Sequence, residues 1–416
     1  MVRRNPIQGE GLTQMMAKLI RIYWQNRLKT AVTRYHSLTH PEVLRVSRIL
    51  DRWIVLAQRS QKFSSSSRST TWKLKLVHHP VRLVTLHAVR VMIRKGVQIM
   101  TQPSQETFIE GINAGGKIEA GDWMPDDYRK LLIKQIHMHA MSEIMGAYPE
   151  KEWVGHAPTI QRKLALNAKI QDEIGHGQML LRLAEDLSAP DGRGREDLLA
   201  DVLVGRVKFH NVFHMPAPTW ADAGVIGFLV DGGAIITQAM LLASSYAPYA
   251  RMLKRIVAEE SFHMQHGESV VLALASGTEI QRNMLQDAIN RWWPAMMFFF
   301  GPRTMGASAQ RMLDYRIRTM TNEQLRQKFI ARYVPRIQAL GLTLPDPALT
   351  RDPNPPHDWH YTDPDWNWYD NMVHHNSGPM SATRLAMRQR AQEGLAWVRR
   401  AALTAHSASY LGELSV

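Results

Sequence analysis

Four carboxylates occupy positions that a helical chain ordinarily reserves for apolar side chains, and they dictate what the fold must contain. Residues 158–187 read as a helix whose buried stripe is Leu166, Ile170, Glu173, Gly177 and Leu180. Residues 249–276 repeat the pattern with Leu253, Ile256, Glu260, His263 and Gly267. The helix expected over 127–146 has Ile136, Ala140, Glu143 and Ala147 on one face. In the helix expected over 219–246, Asp231 is the only charge between Asp222 and Arg251. A buried carboxylate with no partner costs roughly several kcal/mol or takes up a proton. Four on four helices therefore need cations among them.

Two of the four belong to acid-x-x-His pairs, Glu173-x-x-His176 and Glu260-x-x-His263. Residues three apart share a helix face, so each pair can hold one metal ion. In a chain with 37 acids and 18 histidines, about one or two such pairs arise by chance, so placement carries the argument rather than number. The spacing repeats as well. Glu143 lies 30 residues before Glu173 and Asp231 lies 29 before Glu260, which gives two helix hairpins with one lone carboxylate and one pair each. Four carboxylates balance two divalent ions, and the histidines complete the set. The metal ligands expected are Glu143, Glu173, His176, Asp231, Glu260 and His263. His139, one turn before Glu143, is read as a neighbour of the ligands. His137, His156, His214 and His266 are read as structural, as is His210 on its own.

The fold expected is all-α, a four-helix bundle with additional helices near 196–206, 279–299, 322–341 and 381–406, and an irregular strap over 343–379. Three regions follow: a basic extension at 1–99, the bundle and its flanking helices at 100–342, and the strap and last helix at 343–416. The chain has no cysteine, which excludes disulfides, thiolate zinc sites and iron–sulfur clusters. It also lacks a Gly-x-Gly-x-x-Gly fingerprint, so flavin or nicotinamide reduction falls to another chain.

A net charge of +14 suggests nucleic acid or anionic lipid, but it is not evenly spread. Residues 1–99 hold 19 Lys and Arg against 3 Asp and Glu, which leaves 32 basic and 34 acidic residues for the rest. The bundle is nearly neutral, and nucleic acid is not expected as its partner. Three readings of 1–99 stand: upstream sequence ahead of a start at Met100, a basic tail for nucleic acid or anionic lipid, and an Arg- and Ser-rich transit peptide. The helix over 219–246 has the length and composition of a membrane span. Its glycines and central Asp231 instead fit close packing round a buried site, so no membrane is expected.

Several runs then resemble one family: Asp122-Trp-Met-Pro-Asp, Gln171-Asp-Glu-Ile-Gly-His-Gly, Gly227-Phe-Leu-Val-Asp-Gly, Glu259-Glu-Ser-Phe-His and Leu285-Gln-Asp-Ala-Ile-Asn-Arg. Glu323-Gln-Leu-Arg-Gln-Lys-Phe, Leu340-Gly-Leu-Thr-Leu-Pro-Asp-Pro and Trp397-Val-Arg continue it. They are similar to the catalytic A subunits of phenylacetyl-CoA epoxidase, a bacterial multicomponent monooxygenase. The resemblance covers about residues 120–405, and its members usually begin near Met100. It implies a ferritin-like fold, two iron ions on the six residues above, and transfer of one oxygen atom from O2 to the ring of phenylacetyl-CoA. It further implies a cytoplasmic complex with a metal-free helical partner subunit, small accessory subunits and a separate reductase that uses NADPH.

Lys169 and Glu150 match family positions near the site and stand as catalytic candidates, against a solvated ion pair. Lys208, Phe209, His210 and Asn211 fall on a stretch that contacts CoA, although the family usually has Tyr-Ser-Ser where this chain has Phe-His-Asn. Lys134 stands where Arg is common and can meet a phosphate as a point charge. The aromatics Trp359, Trp366, Trp368 and Tyr369 are candidates for the partner interface or for packing the strap. Two other readings remain: a non-catalytic bundle subunit that serves assembly, and a related oxygenase acting on another aromatic acyl-CoA.

Overall fold

A computed structural model describes residues 104–413 of the chain. The three readings of residues 1–99 lie outside the described residues.

The described chain is built of helices, and several begin where the sequence supplies a cap. Helix α1 (Gln105–Asn113) starts at Ser104, whose side chain accepts from Thr107 N. Helix α2 (Asp126–Lys151) carries Asp126 and Asp127 in its first turn. Thr159 accepts from Arg162 N to open α3 (Ile160–Ser188), and α4 (Arg195–Asp201) follows a short loop. The composite helix α5 (Trp220–Leu241) opens at Thr219, whose backbone N donates to Asp222 Oδ2 at 2.7 Å. Then come α6 (Ala247–Ala275), α7 (Glu279–Phe299), α8 (Ala307–Asp314) and α9 (Asn322–Ala339). A two-residue hairpin, β1 (Thr350–Arg351) with β2 (Trp359–His360), precedes α10 (Trp366–His374) and α11 (Ser381–Glu413).

Two antiparallel hairpins, α2 with α3 and α5 with α6, bury their apolar stripes against one another. Leu132, Ile136 and Ala140 of α2 are fully buried, as are Leu166 and Leu180 of α3 and Leu253 and Ile256 of α6. Close approach is set by glycines. A Cβ on Gly227 of α5 would stand 2.7 Å from Gly267 Cα of α6, so only a pair without side chains lets these backbones meet.

The all-α expectation holds, with differences that have local causes. The first bundle helix runs to Lys151 rather than 146. Pro149 removes only one hydrogen bond near the end, and the last turn is held by Glu150 on Lys169. The helix expected over 196–206 stops at Asp201, where the chain turns through Gly205 at φ +70°. The third bundle helix is not uniform: Ile226–Val230 form a π turn between Trp220–Val225 and Asp231–Leu241. It also ends at Leu241 rather than 246. Lys117 Nζ donates to the carbonyls of Ala243 and Ser244, both at 2.8 Å, and caps the helix from a distant segment. Helices α1 and α8 are not expected from the sequence.

The strap is more regular than expected, because Asp365 accepts from Asn367 N and Trp368 N and starts α10. Trp366, Trp368 and Tyr369 pack on Phe298 with ring centroids 5.3–5.7 Å away, so these aromatics fix the strap to the body. Composite α5 is long and apolar enough to cross a membrane, and most of it is buried inside the bundle.

Candidate metal centre

The six side chains read as ligands converge in the middle of the bundle, from α2 (Glu143), α3 (Glu173, His176), α5 (Asp231) and α6 (Glu260, His263). All six are buried. One ligand atom each from Glu143, Glu173, His176 and Glu260 lie within 4.8 Å of one another, and so do those of Asp231, Glu260 and His263. Glu260 is shared by both groups. His176 Nδ1 is 3.3 Å from Glu143 and 3.4 Å from Glu260, while His263 Nδ1 is 3.4 Å from Glu173 and 3.3 Å from Glu260.

The outward faces of the two rings decide whether this set suits a metal. His176 Nε2 lies 2.7 Å from Glu259, and His263 Nε2 lies 3.2 Å from Asp172. A carboxylate accepts only, so each Nε2 carries the hydrogen. In a neutral imidazole that leaves the Nδ1 lone pair facing the cluster. Oxygen and imidazole donors on four rigid helices, with an acid placed to accept from each Nε2, form a buried cluster that can hold metal.

The electrostatics agree. Burial pushes Asp231 up to about 7 even though Lys169 opposes it. Burial and the neighbouring Glu260 hold Glu173 well above the carboxylate range. Burial acts on Glu143 too, but hydrogen bonds from His139 and His176 outweigh it and bring that group down. The surrounding carboxylates hold His176 at about 11 and His263 at about 12 against burial. The cage draws positive charge onto its own members, and divalent ions serve the same need.

Lys169 and Glu150 are not solvated: both are buried, and Lys169 Nζ donates to Glu150 at 2.9 Å and to Asp231 Oδ2 at 2.5 Å. Burial opposes the ammonium, but Asp231, Glu150 and Glu173 outweigh it and raise its pKa. His139 stands beside the ligands as expected, with Nε2 2.8 Å from Glu143 and Nδ1 2.7 Å from Tyr249 Oη. Asp172, Glu259 and Tyr249 went unnoticed in the sequence. The signal for the first two was an acid immediately before each Glu-x-x-His, which marks the partner of the opposite histidine; Tyr249 gave none.

A cavity of about 160 Å³ adjoins the carboxylates, walled in part by Met138, Phe213, Ala234 and Phe299. Of the residues tied to CoA by resemblance, His210 lines it and packs on Phe299 at 3.9 Å between ring centroids. Phe209 is buried and stacks on His214, and Asn211 Nδ2 donates to Ala295 O, so these two shape the segment from within. Lys208 Nζ donates to His374 O, and Lys134 is exposed on α2.

Residues 98–397 match the family model described as phenylacetic acid catabolic protein. The chain belongs to this family. It is 45% identical over 305 residues to the A subunit of 1,2-phenylacetyl-CoA epoxidase from Escherichia coli (strain K12), covering 73% of this chain and 96% of that protein. It is also 28% identical over 144 residues to the C subunit of the same enzyme, covering 34% of this chain and 56% of that protein. Identity and coverage both place it with the A subunit of a multisubunit oxidoreductase.

Proposed function

We propose that this chain is the catalytic subunit of a multicomponent di-iron monooxygenase that epoxidises the ring of phenylacetyl-CoA. The observation that carries the reading is convergence of all six ligand-type side chains in a chain alignable along almost the whole of the A subunit. A scaffold protein has no need of six buried donors with both histidines held for ligation.

Glu143, Glu173, His176, Asp231, Glu260 and His263 would hold two iron ions, which supply activation of O2. The residues around them do the rest. Asp172 and Glu259 orient the rings. Lys169 holds its proton between Asp231 and Glu150, with Glu150 at the cavity wall, so a proton is stored beside the reacting space. Met138, Phe213, Ala234 and Phe299 give the ring an apolar seat and keep bulk water out. Electrons come from outside the chain, through an NADPH-dependent reductase, in a cytoplasmic complex that includes a metal-free partner of the C type and small accessory subunits. His210 faces the acyl end of the substrate, and Lys134 and Lys208 lie outside the cavity for the CoA portion.

The test is metal content and turnover of the full chain co-expressed with its C-type partner. About two iron atoms per chain, lost in Glu173→Ala, with epoxide formed from phenylacetyl-CoA, is the expected result. A wild type that assembles without metal would overturn the catalytic role. Turnover of another aromatic acyl-CoA in place of phenylacetyl-CoA would overturn the substrate alone.

A further inference from the structure

The cavity has two unlike ends. Helix α2 lines it from Gln135 to Glu150 and α5 lines it from Ile226 to Leu241, so it runs along both helices. At one end are Glu150 and Asp231; Glu143 lies further along, with Gln238 Nε2 3.4 Å from it. At the other is Arg318, which also lines the cavity. Its neighbour Thr319 is anchored to α5 through Oγ1 on Met240 O at 3.4 Å, which puts Arg318 at the Leu241 end. Ten residues separate Asp231 from Leu241, which at the rise of an α-helix is about 15 Å.

Arg318 is half-buried and poorly matched by protein. A guanidinium has five N–H donors. Among the described residues its side chain has one hydrogen-bond partner, Asn322 Oδ1 at 3.0 Å, and no ion-pair partner. Burial pulls its pKa below the ordinary value, with only the Tyr249 hydroxyl in opposition. Its remaining donors can therefore meet an anion that enters the cavity. The wall between the two ends is largely apolar, with Met138, Ala234, Phe299 and Leu325.

We propose that Arg318 anchors an anionic group on the flexible arm of the substrate, at the end of the cavity away from Asp231 and Glu150. The identity of that arm as the phosphate-bearing part of an acyl-CoA rests on the function proposed above. The two-ended cavity does not. Lys134 and Lys208 are cations outside the cavity; Arg318 is inside it, and so sets which arm can enter with its aromatic end seated.

The test is equilibrium binding to the full chain with its C-type partner, without reductase so that nothing turns over. Two ligands share ring and thioester: phenylacetyl-CoA, and phenylacetyl-N-acetylcysteamine, which has no phosphate. Arg318→Gln is expected to weaken phenylacetyl-CoA by roughly tenfold or more and to leave the short thioester within about twofold. Arg318→Lys is expected to recover part of the loss. An equal loss for both ligands would show a structural role, and no loss for either would show that the arm passes elsewhere; each overturns the proposal. If the wild type binds neither thioester, the acyl-CoA reading falls, and 8-phenyloctanoate against its amide tests the anchor alone. Preference for the acid that disappears in Arg318→Gln sustains it, and the absence of such a preference refutes it.

Discussion

The two hairpins of the bundle build the same half-centre by different means. In α2–α3, the lone carboxylate Glu143 sits on a regular helix and is braced by the imidazole of His139. In α5–α6, the lone carboxylate Asp231 follows a π turn and is braced by the buried ammonium of Lys169. The backbones differ too. A Cβ on Gly177 of α3 would meet the Ile144 side chain at 2.5 Å and Ala140 O at 3.0 Å, whereas on Gly227 of α5 it would meet only the backbone of α6. One half is therefore packed chiefly through a side chain that can adjust. The other is locked by backbone contact, with Asp231 held by a fixed charge from α3. Irregular helix turns of this kind often occur at functional sites, and here the π turn leads directly into Asp231, whose brace Lys169 comes from the other hairpin.

The largest break in this comparison should come from Lys169. In Lys169→Met, Glu150 is left buried without its partner, at a cost of about 3–5 kcal/mol. Denaturant unfolding of the variant should show that loss, and Lys169→Met with Glu150→Gln should recover much of it. Equal instability of single and double variants would mean that the pair does not act as a unit.

The glycines give the next effect. A Cβ at Gly227 meets backbone at 2.7 Å, and helices cannot part locally without disturbing Asp231. Gly227→Ala should cost about 3 kcal/mol and lower metal content. At Gly177 the nearest atom is Ile144 Cγ1, 2.5 Å away, which a side-chain shift can relieve in part. Gly177→Ala should cost about half as much, read from the same unfolding curves, and leave metal content intact. Equal costs would erase the distinction between a locked and an adjustable half.

The smallest effect sharpens what the halves share. Asp172→Asn and Glu259→Gln each weaken the brace on one histidine from the opposite helix. Each should reduce metal affinity by about tenfold, the two by similar factors, measured by competition with a chelator. A large loss from one and none from the other would show that the crossed arrangement is not functionally symmetric.

Much of this centre was legible because a carboxylate on an apolar stripe is an anomaly that geometry must resolve. Glu143, Glu173, Asp231 and Glu260 stand out for that reason, and the histidines follow by helical spacing. Asp172 and Glu259 did not, since a partly exposed acid on a helix is the commonest of surface residues. The π turn left no mark either: Ile226-Gly-Phe-Leu-Val is apolar throughout, so one extra residue in the turn shifts no polar position out of register. The end of α5 depends on Lys117, more than a hundred residues away, and no local signal announces it. Arg318 belongs to the same class, a lone cation whose meaning lies in the cavity wall opposite.

The crossed braces make the two hairpins one assembly. His176 is held by an acid of α6 and His263 by an acid of α3, while Glu260 lies in reach of both rings. Every such brace joins one hairpin to the other, in the manner of a two-fold dimer written into one polypeptide. Neither hairpin alone supplies both a ring and the acid that orients it, so the centre exists only where the two meet.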